Sequence, residues 1–94
     1  MEEIFVRSVF PVDAVPRWTD GERYLLYNPV TGGTHLVDEV AVYVFDELNG
    51  MSQSKTALIH RVLSAFDTPD EEVHRHIELV IEQLCGFGLL IESR

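Results

Sequence analysis

Cysteine is nearly absent from this sequence, since Cys85 is the only one in 94 residues. A single thiol excludes an intramolecular disulfide and a cysteine-based zinc site, and it suits a reducing compartment. Long apolar runs are missing too, and none approaches the ~20 residues that a membrane span needs. Because Met1-Glu2-Glu3 is acidic where a signal peptide is basic, we expect a cytoplasmic protein with no membrane partner.

Basic residues are scarce: 7 Lys and Arg stand against 16 Asp and Glu, for a formal net charge of −9. Nucleic-acid binders carry a basic face, because phosphate contacts supply much of their affinity. The composition therefore predicts no nucleic-acid partner. The acidity favours solubility and attracts basic partners.

Motifs for chemistry are also lacking. Gly32-Gly33 has neither the spacing nor the Lys-Ser/Thr ending of a phosphate loop. Ser52-Gln53-Ser54-Lys55 matches the Ser-x-x-Lys spelling of some acyl-transfer enzymes, but without their companion motifs. On a helix, His74 and His76 point about 200° apart and cannot share one metal ion unaided. We predict no enzyme, no metal site and no cofactor, and a function in recognition.

The chain before Asp38 holds short apolar stretches broken by Pro and Gly, which predicts a three-stranded antiparallel meander. The strands are expected at Val15–Trp18, Tyr24–Tyr27 and Thr34–Val37. The first reversal is expected at Thr19-Asp20-Gly21-Glu22, and the second between Asn28-Pro29 and Gly32-Gly33. Ile4–Phe10 is rich in β-branched and aromatic residues and predicts a strand that is short or lies at a sheet edge.

The chain after Asp38 has helical spacing and predicts three helices. Asp38 is expected to cap the first helix, which ends at Asn49-Gly50. Ser52 or Ser54 begins the second helix. The third helix begins at Thr68-Pro69-Asp70-Glu71 and ends at Gly86. Its apolar face comprises Val73, Ile77, Val80, Ile81 and Leu84, and Leu89-Leu90-Ile91 has the composition of a short last strand.

This order of elements predicts an α+β fold that is similar to a winged helix-turn-helix domain with its sheet placed first. The length fits a single domain over residues 1–94, with the sheet in 1–38 and the helical part in 39–94.

The stretch from Tyr27 to Val37 carries a family resemblance. It contains Asn28-Pro29-Val30-Thr31-Gly32-Gly33-Thr34-His35, and a helix ending Leu48-Asn49-Gly50 follows it. Together with the closing Gly86-Phe87-Gly88-Leu89-Leu90-Ile91, it resembles the PqqD family of peptide chaperones. It is most similar to the branch found beside a kinase related to the HPr kinase.

The resemblance implies a recognition element for ribosomally made, later modified peptides. In that family, the leader of a precursor peptide adds as a strand to the sheet edge, between the third strand and the third helix. The module then presents the leader to a modifying enzyme. By position, the edge strand is Thr34, His35, Leu36 and Val37, and the facing helix side is Val73, His74, Ile77 and Ile81. The oligomeric state stays open, with a homodimer among the options.

Two further readings of the sequence remain. An assembly or regulatory subunit would bind a protein partner instead of a leader peptide. A DNA-binding winged helix would read DNA with its third helix, but that helix has Arg75 alone against five acids, namely Asp70, Glu71, Glu72, Glu78 and Glu82.

Overall fold

A computed structural model describes residues 3–21, 23–49, 51–66 and 71–93. Within those ranges it contains six strands, three α-helices and a short 3-10 helix. Their order is β1 (Phe5–Ser8), the 3-10 helix (Val12–Ala14), β2 (Arg17–Asp20), β3 (Arg23–Tyr27), β4 (Thr34–Val37), α1 (Glu39–Leu48), β5 (Ser52–Ser54), α2 (Lys55–Phe66), α3 (Glu71–Gly86) and β6 (Leu90–Ser93).

The predicted meander is confirmed as a three-stranded antiparallel sheet in the order β2-β3-β4. The pairing of Asp20 with Arg23 places a tight turn between them, and Gly21 has a φ of 67° there. Glu22, also predicted in this turn, lies outside the described residues. β2 begins two residues later than predicted, because Pro16 joins the sheet only through its carbonyl, which accepts from the amide of Tyr27 at 3.0 Å.

A second three-stranded antiparallel sheet, in the order β5-β1-β6, differs from the sequence-based expectation. The N-terminal strand is short, as predicted, but it lies at the centre of this sheet and does not join the meander. The predicted C-terminal strand is present and pairs with it. β5 falls where the second helix was expected to begin, because its three polar residues become a strand only through pairing with β1.

Side-chain caps fix the starts of the first two helices. The Asp38 carboxylate accepts from the amide of Ala41 at 2.9 Å, as predicted, and Asn49 ends α1 in the left-handed region with a φ of 43°. The Ser54 hydroxyl accepts from the amide of Ala57 at 3.1 Å, so Ser54 and not Ser52 begins α2. The start predicted for α3 at 68–70 lies outside the described residues.

The C-terminus of α3 differs in detail from the prediction. Gly86 is the last helical residue, but the left-handed residue that reverses the chain is Gly88, with a φ of 76°. The amide of Leu89 donates to the carbonyl of Leu84 at 3.0 Å, and that of Gly88 donates to Cys85 at 3.1 Å. This pair of bonds is the Schellman arrangement, which satisfies two terminal carbonyls of the helix.

One hydrophobic core joins both sheets to all three helices. Its fully buried side chains include Val6, Leu26, Val44, Phe45, Leu48, Leu58, Val62, Ile77, Ile81, Leu84 and Leu89. The apolar faces of α1, α2 and α3 supply most of these residues, and this packing holds α3 beside the first sheet. In the part of the chain that the structure describes, no helix is long and apolar enough to cross a bilayer.

Candidate functional site

β4 is an edge strand that pairs only with β3 within the described part of the chain. The amide of Asn28 donates to the carbonyl of Gly33 at 2.8 Å. Hydrogen-bonded and non-bonded pairs alternate in an antiparallel ladder, so His35 and Val37 are the β4 residues bonded to β3. The backbone N–H and C=O groups of Thr34 and Leu36 therefore point away from β3, toward the open edge.

The loop before β4 is fixed by the buried side chain of Asn28. Its Oδ1 accepts from the amides of Val30 at 2.9 Å and Thr31 at 3.2 Å. Its Nδ2 donates to the carbonyl of Phe87 at 2.9 Å, just beyond α3. The start of β4 is thereby tied to the end of α3. A Cβ at Gly88 would lie 2.9 Å from this Nδ2, so the close approach needs glycine at that position.

Two side-chain contacts place α3 along β4. The ring of His35 stacks on Phe87, with centroids 4.0 Å apart and an interplanar angle of 10°. The Asp38 carboxylate lies 2.8 Å from Nε2 of His76. His35 in β4 contacts Phe87, just after the end of α3, whereas Asp38, just after β4, contacts His76 in the first half of α3. The strand and the helix therefore run antiparallel.

The two faces of β4 differ. His35 and Val37 lie on the inner face, which packs toward the core and α3, and Val37 is buried. Thr34 and Leu36 lie on the outer face, where Leu36 is 49% exposed. Leu36 is registered with Leu25, and Leu25 with Trp18. These three side chains form an apolar row across the outer face of the sheet.

The contact of His76 with Asp38 shows which side of α3 faces the open edge of β4. Successive helical residues advance about 100°, so Leu79 and Gln83 lie on the solvent side of this contact line. Leu79 is 51% exposed. It is one of the few large apolar side chains that the described part of the chain leaves in solvent, and it lies about 60° around the helix from His76.

The sequence-predicted site residues are only partly brought together. Ile77 and Ile81 are fully buried in the core, and Val73 is half-buried against it. These three side chains therefore pack α3 onto the core and do not face the open edge. His74 lies on the other side of the helix, where Nδ1 is 2.9 Å from Oε1 of Glu78. There it borders an open cavity of about 350 Å³, together with Glu3, Ile4, Lys55, Thr56, Ile59 and Glu78.

Sequence reasoning missed His76 and Leu79 as site residues. His76 was considered only as half of a metal pair with His74, and Leu79 was not singled out. The signal that identifies both residues is their rotational position on α3. Once the buried face of α3 is centred on Ile77, Ile81 and Leu84, the side nearest β4 begins about 100° away, at His76.

The polar groups singled out as candidates for chemistry have structural partners. Ser54 caps α2, and Lys55 Nζ lies 3.1 Å from Oε1 of Glu92. Burial raises the pKa of the Cys85 thiol, and the nearby Glu92 raises it further, which disfavours the thiolate. Among the described residues, no three His, Cys, Asp or Glu side chains are grouped to hold a metal ion. This arrangement offers backbone and apolar surface for binding.

A small α+β domain with an open strand edge beside a helix is the kind of scaffold that takes up an extended peptide. The comparison with protein families agrees. Residues 23–90 match the family described as Coenzyme PQQ synthesis protein D (PqqD). The match covers more than two thirds of the chain, and the chain belongs to the PqqD family. It runs from the start of β3 to the start of β6 and includes β4 and α3. No curated protein and no solved structure matches the chain.

Family membership confirms the resemblance read from the Tyr27–Val37 stretch, at the level of the family. It suggests the role of a peptide-binding chaperone in the biosynthesis of PQQ or other modified ribosomal peptides.

Proposed function

We propose that this protein binds the leader of a ribosomal precursor peptide by strand addition to β4 and presents it to a separate modifying enzyme. The observation that carries the proposal is the unpaired edge of β4, with the backbone groups of Thr34 and Leu36 turned outward beside α3. The binding surface comprises this edge together with the side chains of Leu36, His76 and Leu79. Assignment to the branch that accompanies an HPr-kinase-related kinase is part of the same proposal.

Backbone pairing alone would give weak binding. Thr34 and Leu36 present four backbone groups, and each hydrogen bond contributes about 1 kcal/mol net. A total of about 4 kcal/mol corresponds to a Kd of about 1 mM, before the cost of ordering the peptide. A micromolar complex therefore needs apolar contacts as well. The half-exposed Leu36 and Leu79 are placed to supply them, each with a burial worth on the order of 1–2 kcal/mol.

Leu36→Pro tests the proposal directly. Proline removes the outward N–H at the centre of the binding edge, and it leaves the bonds between β3 and β4 intact because those come from His35 and Val37. We expect at least a tenfold loss of affinity, measured by fluorescence anisotropy with leader peptides encoded near the gene.

Thr19→Pro is the matched control on the opposite edge of the same sheet. The amide of Tyr27 donates to Pro16, so by alternation the backbone of Thr19 also points away from β3. This variant should fold and bind as the parent does. Equal affinity of a folded Leu36→Pro protein and the parent, or equal losses in both variants, would contradict binding at β4.

A second candidate function is that of an assembly or regulatory subunit which binds a folded protein partner. The outer face of the sheet favours it, because Trp18 is 53% exposed and lies two strands away from the β4 edge. In that case the peptides would not bind, and Trp18→Ala would weaken capture of the partner.

A further inference from the structure

The apolar row on the outer face of the sheet has its last member, Leu36, on the edge strand β4. Trp18, Leu25 and Leu36 occupy equivalent positions on β2, β3 and β4, and all three point to the same side. The neighbouring position on this face is more polar, where Tyr27 is registered with Thr34. The outer face is therefore apolar at one level of the sheet, and this level reaches the edge at Leu36.

We infer that the guest peptide carries a large apolar side chain, aromatic or β-branched, directly opposite Leu36, where it becomes the fourth member of this row. The inference rests on the proposed strand addition and specifies the class of peptide that the edge selects. Side chains registered across neighbouring strands stand about 5 Å apart and contribute about 0.2–1 kcal/mol when both are apolar.

The alternation of hydrogen-bonded residues along β4 determines which residue of the guest peptide lies opposite Leu36. Because the free backbone groups belong to Thr34 and Leu36, an antiparallel guest forms its bonded pairs opposite these two residues. The guest residue opposite Leu36 then projects onto the outer face, and the residue two positions along it lies opposite Thr34. A shift by one residue would turn the apolar side chain to the inner face and break the ladder.

The kind of guest side chain that fits opposite Leu36 follows from the surface that Leu36 leaves uncovered. Leu36 has Leu25 of β3 as its neighbour on one side along the sheet, and within the described residues no strand lies on the other side, at the open edge. Half of its surface is left in water. An apolar guest residue covers that surface, whereas a short polar residue leaves it exposed.

The test uses short threonine peptides, flanked by lysine, with one variable central position occupied by Ile, Phe, Thr or Asp. Binding is followed by amide chemical shifts at millimolar peptide. We expect Ile and Phe to bind about two- to fivefold more tightly than Thr, and Asp more weakly than Thr. Nuclear Overhauser contacts should join the central side chain to the methyl groups of Leu36.

Two variants distinguish a specific contact with Leu36 from nonspecific hydrophobic binding to the sheet. Leu36→Thr keeps β-propensity and should abolish the preference for Ile and Phe. Trp18→Thr lies about 10 Å from the edge, at the far end of the row, and should keep the preference. Binding at β4 without a preference, or central side-chain contacts to Leu79 and not Leu36, would overturn this inference and leave strand addition standing. Absence of shifts at β4 with every peptide would overturn both.

Discussion

Asn28 joins its own loop to the segment that follows α3 through one side chain that is 1% exposed. It bonds to two amides of its own loop and to the carbonyl of Phe87, 59 residues further along the chain. At the scale of single residues, the position of the binding edge relative to α3 depends on this side chain and on the absence of a Cβ at Gly88. The sequence indicated the turn at Asn28-Pro29, but the long-range bond to Phe87 has no local signature.

Asn28→Ala should lower the free energy of unfolding by about 2–3 kcal/mol, because it leaves a carbonyl and two amides without their partner in a partly buried site. Chemical denaturation followed by circular dichroism measures the change. Val30→Ala is the matched control in the same loop. Its side chain is exposed, and we expect a change within about 0.5 kcal/mol. Similar stability of the Asn28→Ala protein and the parent would show that the tether is dispensable.

At the scale of elements, the helices were predictable from the sequence and the pairing of the strands was predictable in part. The buried residues of α1 recur at helical spacing, and Asp38 and Asn49 lie directly before and directly after its ten residues. The meander was predictable because Asp20-Gly21 and the stretch from Asn28 to Gly33 reverse the chain locally.

The second sheet could not be predicted in the same way. Its central strand, β1, pairs with β5 and β6, whose residues lie 45–49 and 82–88 positions away in the sequence. Such pairing is decided by tertiary packing and not by local propensity. The side of α3 that faces β4 in the candidate site is likewise decided by tertiary packing. Whether His74 or His76 faces β4 depends on the rotation of α3 in the core, and a helical periodicity alone gives only the buried face.

The junction of β4 with α1 gives a prediction at this scale. One Asp38 oxygen caps α1, and the other lies 2.8 Å from His76, at a half-exposed site. Asp38→Asn keeps an acceptor for the amide of Ala41, whereas Asp38→Ala loses it. We expect the alanine variant to lose about 1 kcal/mol and the asparagine variant less than about 0.5 kcal/mol, because contacts between half-exposed side chains contribute little. Urea denaturation compares them, and equal losses in the two variants would mean that the contact with His76 outweighs the cap.

At the scale of the whole molecule, the net charge of −9 and the open edge point to the same class of partner. The described part of α3 carries Glu71, Glu72, Glu78 and Glu82 against Arg75 alone, so it repels the phosphates that a DNA-reading helix must approach. A peptide can bind without a basic protein face, and basic residues in a leader would be attracted by the negative charge of this protein.

The central claim is that a guest strand pairs with the outward backbone groups of β4, and amide hydrogen exchange measures this at single residues. The experiment compares the free protein with the protein saturated by the precursor peptide encoded nearest its gene. We expect the amides of Thr34 and Leu36 to exchange rapidly in the free protein and at least about tenfold more slowly in the complex, while those of His35 and Val37 are slow in both. Unchanged exchange at Thr34 and Leu36 in a saturated complex, or new protection at Arg17 and Thr19 instead, would contradict it.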